Sequence, residues 1–409
     1  MPSPALRYLP VIMAVSAISL TSCEKEEAVF PEAETSVQRQ QPVSAPISGR
    51  YLVAFRPGQT AAREAFRQLA KEQPHLGQRA QLVEGKVFSG FYAQLNPSEL
   101  AQLRQNKSIA FIEPDQRFSV RFDDYADASR LSLGSADYTP FTPPQHAPVY
   151  TITPDTSQTI SWGATRVGVG RGIIAGRKAW VVDSGIQLDH PDLDVDLALS
   201  QSFLSTTTDP GDEFGHGTQV AGILGARNNG YGVVGVAAGA RLVSLRVMNA
   251  TGNGTVSAVI SALNYIAEHG APGDVVCLSL GASPSLALDN AVVALADLGI
   301  FITVAAGNSN ADAANLSPAR VNHANVFTVS GLRPDGTYMG ISNWGSPVDY
   351  CAPGTALRTT KINSGYGSAG GTSMATPHVA GILLVRGNIA TDGFVANDPD
   401  GNPDPVPHM

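Results

Sequence analysis

Apolar runs that alternate with alanine-rich helical segments constrain the fold of residues 162–386 more than any other feature of this 409-residue sequence. The runs, typical of strands buried on both faces, are 178–182, 241–247, 274–280 and 300–306. Segments 256–268 and 286–298 have helical spacing. The alternation predicts an α/β fold with a doubly wound, mainly parallel sheet, helices on both faces and functional residues at the carboxyl ends of the strands.

A smaller unit with a different pattern precedes this region. Its elements, read from period and turn residues, are strand 51–55, helix 61–71, a further strand near 80–84, strand 87–95, helix 97–105 and strand 108–113. This order predicts a small ferredoxin-like α+β domain. The chain then divides into an N-terminal signal (1–23), a Pro/Gln/Ser-rich tether (24–49), the α+β domain (50–120), a linker (121–157), the α/β domain (158–386) and an acidic tail (387–409).

The N-terminus has the pattern of an export signal. Arg7 precedes an apolar run from Leu9 to Leu20 that is too short to span a bilayer. Leu20-Thr21-Ser22-Cys23 resembles a bacterial lipobox, which predicts lipidation of Cys23 and a membrane lipid anchor, at the outer membrane or the cell surface. An ordinary secretory signal with a chance cysteine stays open, and the charged residues 24–27 fit either a surface-export tag or a solvated run.

Charge and cysteine content argue against a nucleic-acid-binding protein and against a fold built on disulfides. Net charge is −8, with 10 Lys and Arg against 6 Asp and Glu in residues 50–120 and 12 against 15 in residues 158–386. The dispersed basic residues form no stripe with stacking aromatics, so no nucleic acid partner is expected. Apart from Cys23, only Cys277 and Cys351 occur, both in apolar segments; buried thiols are predicted and a pairing stays open.

Four polar residues fall where a doubly wound sheet exposes side chains. Asp183 ends a strand, His216 opens a helix between two glycines, Ser373 lies in a Gly-rich turn before a helix with Pro377 expected in its first turn, and Asn308 follows a strand. Acyl transfer needs a hydroxyl nucleophile, an imidazole base, a carboxylate that orients the imidazole, and an oxyanion donor. Singly, each residue also fits a turn or a helix cap.

The sequence around these residues resembles that of the subtilisin-like serine peptidases. The chain order Asp183, His216, Ser373 is the order of that family, and the segments 183–185, 216–218 and 371–378 resemble its three signature blocks. Residues 305–308 resemble its oxyanion block. The resemblance implies a serine endopeptidase, expected to be a monomer, that acts on protein and peptide substrates with these three residues as triad and Asn308 as oxyanion donor.

The same resemblance gives the α+β domain a role. Residues 50–120 are similar to the inhibitor-type propeptide that chaperones these enzymes and blocks their site until it is cut. The protein is therefore expected to be made as a zymogen that its own propeptide inhibits and that cuts itself. Segments 90–93 and 112–115 are expected to meet the α/β domain, and cleavage is expected between about 115 and 160, which could release the enzyme from its anchor. A separate binding module is the alternative.

The resemblance also implies substrate-binding segments. Gly252-Asn253-Gly254 and Ser279-Leu280-Gly281 match the edge strands that bind a peptide as an added β-strand. Ala305, Ala306 and Gly307 match the pocket for the side chain before the scissile bond, and their small size predicts a preference for hydrophobic or aromatic side chains.

Calcium is the one cofactor implied. Gln158, Asp192 and Asn229 match positions where subtilisins bind structural Ca²⁺ through oxygen atoms. The acidic segment 398–404 also resembles a calcium loop, but it lacks the EF-hand spacing, and a solvated tail is predicted there.

Two other functions remain open from the sequence. One is a non-enzymatic surface protein that uses the fold as a binding scaffold, and the other is an enzyme whose only substrate is its own linker. The four intact polar residues argue against the scaffold, and activity toward denatured casein would separate the self-processing enzyme from a general endopeptidase.

Overall fold

The computed structural model describes residues 44–57, 62–121, 158–170 and 173–409. The predicted signal, Cys23, the tether up to residue 43 and linker residues 122–157 lie outside the described residues. Within these ranges no helix has both the length and the apolar character needed to cross a membrane.

The N-terminal α+β domain spans residues 44–121. Its elements are β1 (Ala45–Phe55), α1 (Ala62–Glu72), α2 (Pro74–Arg79), β2 (Gln81–Val83), β3 (Gly90–Gln94), α3 (Pro97–Gln105) and β4 (Ile109–Ser119). The strands form an antiparallel sheet in the order β4-β1-β3-β2. The predicted ferredoxin-like fold is confirmed.

Strands β1 and β4 are both longer than the sequence pattern predicts. β1 begins at Ala45, inside the expected tether, because Ala45 and Pro46 pair with Arg117 and Gln116 of β4. β4 in turn extends six residues past Glu113 because its far end pairs with a strand of the α/β domain. Pairing partners distant in sequence therefore set the length of each strand.

The α/β domain, residues 158–409, contains many short strands. They are β5 (Thr159–Ile160), β6 (Ala179–Asp183), β7 (Asp194–Val195), β8 (Gln201–Ser202), β9 (Val233–Val234), β10 (Arg241–Arg246), β11 (Asn253–Thr255), β12 (Val275–Leu278), β13 (Phe301–Ala305), β14 (Val326–Leu332), β15 (Tyr350–Pro353), β16 (Leu357–Lys361), β17 (Gly365–Ala369), β18 (Ala390–Phe394) and β19 (Pro405–His408). The helices are α4 (Trp162–Val167), α5 (His216–Gly225), α6 (Val256–His269), α7 (Leu286–Asp297), a 3₁₀ turn (Ala313–Asn315) and α8 (Thr372–Arg386).

The central sheet of this domain is parallel. Its strand order is β15-β14-β13-β12-β6-β10-β7, and β8 also pairs with β10. Alternate residues of the fully buried β6 enter different cores: Trp180 packs with α6 and α7, whereas Val181 packs with α5 and α8. The prediction of a doubly wound sheet with helices on both faces is thus confirmed, and its active edge is the carboxyl end of β6.

The C-terminal segment is packed in part: residues 399–403 are exposed, as the prediction of a solvated tail requires, but the strands on either side of them fold back onto the domain. β18 and β19 form an antiparallel hairpin, and Val395 and Val406 are buried against Leu332 and Tyr338. Asp404 is also buried, and its carboxylate accepts a hydrogen bond from the Ser330 hydroxyl at 2.8 Å. Val395 and Val406, two apolar residues within an acidic sequence, form the inner face of this hairpin.

Both cysteines of the α/β domain are buried, free thiols. Burial raises the pKa of the Cys277 thiol to about 12, so it is protonated and unreactive at neutral pH.

Candidate active site

Asp183 and His216 lie in contact at the carboxyl edge of the central sheet. Asp183 is the last residue of β6 and His216 the first of α5. Nδ1 of His216 is 2.8 Å from Oδ1 and 3.0 Å from Oδ2 of Asp183, and the two side chains are almost fully buried. A carboxylate at this distance fixes the imidazole tautomer with its proton on Nδ1 and leaves Nε2 as the basic atom.

The turn before His216 is organised by Asp212, which the sequence reasoning missed. Its carboxylate accepts hydrogen bonds from the Ser184 hydroxyl, from the N–H groups of Phe214 and Gly215, and from both the N–H and the hydroxyl of Thr218. Asp212 therefore positions the loop that carries the imidazole. The N-cap residue of α5 is Gly215, which has no side-chain cap, so no capping signal in the sequence points to Asp212.

Ser373 is the second residue of α8 and is 8% exposed. Pro377 is the sixth residue of this helix, inside it and past the first turn where we expected it. Because proline has no N–H, the carbonyl of Ser373, four residues earlier, receives no helical hydrogen bond. The Ser279 hydroxyl donates to that carbonyl instead, at 2.8 Å, and the Ser373 hydroxyl donates back to the Ser279 carbonyl at 3.3 Å.

Asn308 faces the same cavity as His216 and Ser373. The cavity has a volume of about 320 Å³ and is lined by all three residues. Oδ1 of Asn308 accepts a hydrogen bond from the N–H of Thr372 at 2.9 Å. The acceptor end of the amide is thus occupied by the protein, and Nδ2 is the end left to donate to an oxyanion beside Ser373.

The predicted strand Gly252-Asn253-Gly254 pairs with the N-terminal domain. Gly254 lies opposite Phe118 and Asn253 opposite Ser119, antiparallel, and the N–H of Val120 donates to the carbonyl of Gly252 at 2.9 Å. Phe118 is buried against Gly254, where a Cβ would come within 2.5 Å of its ring. The end of the α+β domain therefore occupies this edge as an added strand, which is how an extended peptide binds.

Of the other predicted substrate-binding residues, Ser279 and Gly307 contact the turn that carries Ser373. Ser279, in direct contact with Ser373, and Leu280 are buried, and Gly281 packs against Leu316. Ala305 and Ala306 are buried at the end of β13, and Gly307, with φ +102°, adopts a conformation that favours glycine. The N–H of Gly307 donates to the Thr372 hydroxyl, which ties this turn to the serine turn.

Two carboxylates of β4 cap helices of the α/β domain. Glu113 accepts hydrogen bonds from the Ser285 hydroxyl and the N–H groups of Leu286 and Ala287, at the start of α7. Asp115 accepts from the N–H and hydroxyl of Ser257, at the start of α6. Negative charge at a helix N-terminus is stabilising. Burial nevertheless raises the pKa of both carboxyls above the ordinary value.

A second contact between the domains, at Asn264 of α6, was not foreseen from the sequence. Its amide oxygen accepts hydrogen bonds from the N–H groups of Val87 and Phe88, both at 3.1 Å, and its amide nitrogen donates to the carbonyl of Phe88 at 2.8 Å. A Cβ at Gly85 would lie 2.2 Å from Asn264 Oδ1, so the loop before β3 approaches as only glycine allows. The contact with the α/β domain that was expected at 90–93 thus begins in the preceding loop, at Val87 and Phe88.

Gln158, Asp192 and Asn229 also come together, because β5 folds back to pair with β9. Nε2 of Gln158 lies 2.8 to 3.4 Å from four oxygens, namely the carbonyls of Arg227, Tyr231 and Val233 and Oδ1 of Asn229. Nδ2 of Asn229 donates a hydrogen bond to Oδ1 of Asp192 at 3.0 Å.

This oxygen cluster fits calcium. One amide has two N–H hydrogens for four acceptors, and an excess of carbonyl and amide oxygens is the ligand set that Ca²⁺ takes. Among the described residues no group of three or more His, Cys, Asp or Glu side chains could hold a metal, so this is a carbonyl-rich site with one neighbouring carboxylate.

Comparisons with known proteins agree with this geometry. Residues 176–388 match the subtilase family, and residues 50–121 match the peptidase inhibitor I9 family. An alkaline serine exoprotease A from Vibrio alginolyticus is 32% identical over 89% of this chain, which covers 65% of that protein. M-protease from Shouchella clausii is 33% identical over 75% of this chain and 82% of its own length. A cold-adapted subtilisin-like serine proteinase of known structure is 33% identical, with a TM-score of 0.53 over 60% of this chain and 96% of that one.

A parallel sheet with aspartate, histidine and serine at its carboxyl edge, preceded by an inhibitor-type domain, defines the class of subtilisin-like serine endopeptidases. The chain belongs to the subtilase family and has an I9 propeptide domain at residues 50–121. Below, residues 44–121 are called the propeptide and residues 158–409 the peptidase domain.

Proposed function

We propose that the protein is an exported endopeptidase that cleaves peptide bonds through Ser373, His216 and Asp183. His216 Nε2 takes the proton of the Ser373 hydroxyl, and Oγ attacks the peptide carbonyl. Nδ2 of Asn308 and the N–H of Ser373 hold the oxyanion, while Asp183 stabilises the imidazolium. The imidazolium gives its proton to the leaving amine, the C–N bond breaks, and water then hydrolyses the acyl-enzyme by the same steps. The observation that carries this proposal is the shared cavity of His216, Asn308 and Ser373 above a buried Asp183.

We further propose that the protein is made as a zymogen. The propeptide lies along the substrate strand β11, and Arg121, its last described residue, lines the cavity of Ser373. A product-like occupant of the cleft blocks other substrates until it leaves.

Intact-mass analysis of the purified chain beside its Ser373→Ala variant tests both proposals. We expect the wild type to be cut after the propeptide and Ser373→Ala to stay whole. Cleavage of both chains alike would assign the cut to a host protease, and two whole chains, with and without Ca²⁺, would favour the inert scaffold. Digestion of denatured casein by the processed enzyme separates a general endopeptidase from an enzyme that cuts only itself.

Calcium at the Gln158 cluster is proposed as a structural cofactor, with no part in the chemistry. Asn229 Oδ1 and the carbonyls of Arg227, Tyr231 and Val233 would hold the ion beside Asp192, and Gln158 would join them with its amide turned so that Oε1 faces the cluster. Binding would fix the start of the peptidase domain. In Ser373→Ala, Ca²⁺ should raise Tm, and Asn229→Ala should abolish that increase; an equal increase in both variants would contradict the site.

Anchoring through Cys23 and action as a monomer are also proposed. The support for the anchor is the lipobox-like sequence alone. Labelling with a radioactive fatty acid should mark the wild type and spare Cys23→Ser. Equal labelling of both would remove the anchor, and light scattering of the released enzyme reports its mass.

A further inference from the structure

The cavity beside Ser373 extends away from the strand that binds the propeptide. Its walls are the start of α5, the residues next to Ser373, and the hairpin β16–β17 with the turn that follows it. No residue of β11 lines it. This part of the cleft therefore differs from the edge along which Phe118 and Ser119 run.

The direction of the propeptide identifies which side of the cleft this is. Ser119 pairs with Asn253, Val120 donates to the carbonyl of Gly252, and the next residue, Arg121, lines the cavity together with Ser373. A peptide that continues in the same direction beyond Arg121 passes Ser373 towards the hairpin. The hairpin side of the cavity thus receives the residues that leave with the amine.

The fixed charge on that side is positive. Among the described residues that line the cavity, the only permanently charged ones are Arg121 and Lys361, and no carboxylate is present. Lys361, at the end of β16, is half-buried and forms no ion pair with any described residue. Its chain lies against Gly367 of β17, where a Cβ would meet Lys361 Cε at 2.5 Å. When the propeptide leaves, Arg121 goes with it and Lys361 stays.

Gln219 adds an unsatisfied acceptor to the same wall. It is 5% exposed, and its Oε1 is buried with no hydrogen-bond partner among the described residues. A buried acceptor without a donor is destabilising, and the N–H of an extended peptide would satisfy it.

We propose that Lys361 and Gln219 form the leaving-group subsite of this peptidase and select substrates with an acidic side chain two or three residues after the cleaved bond. The chain carries such a sequence itself, because Phe122-Asp123-Asp124 follows Arg121. The self-processed bond is then Arg121–Phe122. Its arginine departs from the hydrophobic or aromatic side chain expected before the cleaved bond, so the selectivity proposed here concerns the residues after that bond. Ser373 Oγ forms the ester with the Arg121 carbonyl, the C–N bond to Phe122 breaks, the proton moves through His216 to the new amino group, and water frees the propeptide. This inference rests on the proposed function and narrows its substrate class.

Three quenched peptides test the selectivity on enzyme processed from the full chain. All share Phe-Ser-Val-Arg before the bond, followed by Phe-Asp-Asp, Phe-Asn-Asn or Phe-Lys-Lys. We expect kcat/KM to fall in that order, by about fivefold per step. Lys361→Glu should reverse the order, and Lys361→Met should make the three kcat/KM values nearly equal. Arg358→Glu makes the same charge change on the exposed side of β16, outside the cavity, and should keep the wild-type order.

The processing site supplies a second test. The mature chain should begin at Phe122, read by N-terminal sequencing. Asp123→Lys with Asp124→Lys should slow self-processing about tenfold, and Lys361→Glu in the same chain should restore it.

The outcomes distinguish failure of the subsite proposal from failure of the proposed endopeptidase activity. Cleavage of the three peptides at equal rates, an order unchanged in Lys361→Glu, or a mature start other than Phe122 would overturn the subsite while the endopeptidase stands. No Ser373-dependent cleavage of any peptide would overturn the proposed function itself. A thermal melting curve equal to that of the wild type shows that Lys361→Glu folds.

Discussion

The catalytic centre and the propeptide interface bind their carboxylates in opposite ways. Asp183 is fully buried, and its partners, His216 and the N–H of Ser184, belong to the same domain. Glu113 and Asp115 belong to one domain, and the helix starts they cap belong to the other. When the propeptide leaves, the bonds of Asp183 persist, whereas Glu113 and Asp115 lose their bonds to α7 and α6. Asp115 then keeps only Arg50 and the N–H of Gln116, which belong to its own domain.

This difference separates two functions that share one cleft. Substitutions at the interface should change how tightly the propeptide binds and leave the chemistry intact, whereas substitutions around Ser373 should do the reverse. The four predictions that follow test whether the two sets of residues are as independent as their bonding indicates.

The largest effect is expected on the catalytic side. Asn308→Ala removes the side-chain oxyanion donor and should lower kcat about 100- to 1000-fold, a magnitude taken from subtilisin itself. The affinity for the propeptide, made as a separate chain of residues 44–121, should change little. Steady-state kinetics and inhibition assays check the two values, and a wild-type kcat would remove Asn308 from the mechanism.

On the interface side, Asn264 should have the largest effect. Asn264→Ala removes three hydrogen bonds to Val87 and Phe88 and should weaken propeptide binding about 10- to 100-fold, with kcat unchanged. Gly85→Ala, which places a Cβ against Asn264, should weaken binding in the wild type and much less in the Asn264→Ala enzyme. Additive losses would mean that the two residues act separately.

Removal of a helix cap should have a smaller effect. Glu113→Ala leaves the Ser285 hydroxyl and two N–H groups of α7 without their acceptor, and we expect an inhibition constant about 5- to 30-fold higher. Glu113→Gln keeps one acceptor oxygen and is the matched control with a smaller loss. Equal loss in both variants would attribute the contact to charge alone.

The smallest effect concerns pH. Because burial raises the pKa of Glu113 and Asp115 in the complex, the complex binds protons more tightly than the separated propeptide. Propeptide affinity should therefore be highest in acid and fall as pH rises through the raised pKa values. Calorimetry with Ser373→Ala enzyme from pH 5 to pH 8 measures this, and Glu113→Gln with Asp115→Asn should flatten the profile. A propeptide affinity that falls as the pH is lowered would contradict this prediction.

The sequence predicted the fold of both domains because period and apolar runs are local properties. It also selected the residues that meet at the sheet edge, since the ends of parallel strands come together by topology. It could not predict that β4 extends to Ser119, that Asn264 binds the loop before β3, or that Lys361 reaches the cavity, since each depends on a partner far away in sequence. The packed C-terminal hairpin was missed because Val395 and Val406 stand alone among acidic and turn residues.

Pro377 gives the catalytic helix a trade-off between robustness and reactivity. Replacing it with alanine would supply the missing N–H and favour α8 by up to about 3 kcal/mol, the usual cost of proline inside a helix. The new N–H would then compete with the Ser279 hydroxyl for the carbonyl of Ser373, and the nucleophile would lose the shorter of its two hydrogen bonds to Ser279. A rise in Tm together with a fall in kcat would show that Pro377 lowers the stability of α8 and supports catalysis. Engineering for heat tolerance should then begin at another position.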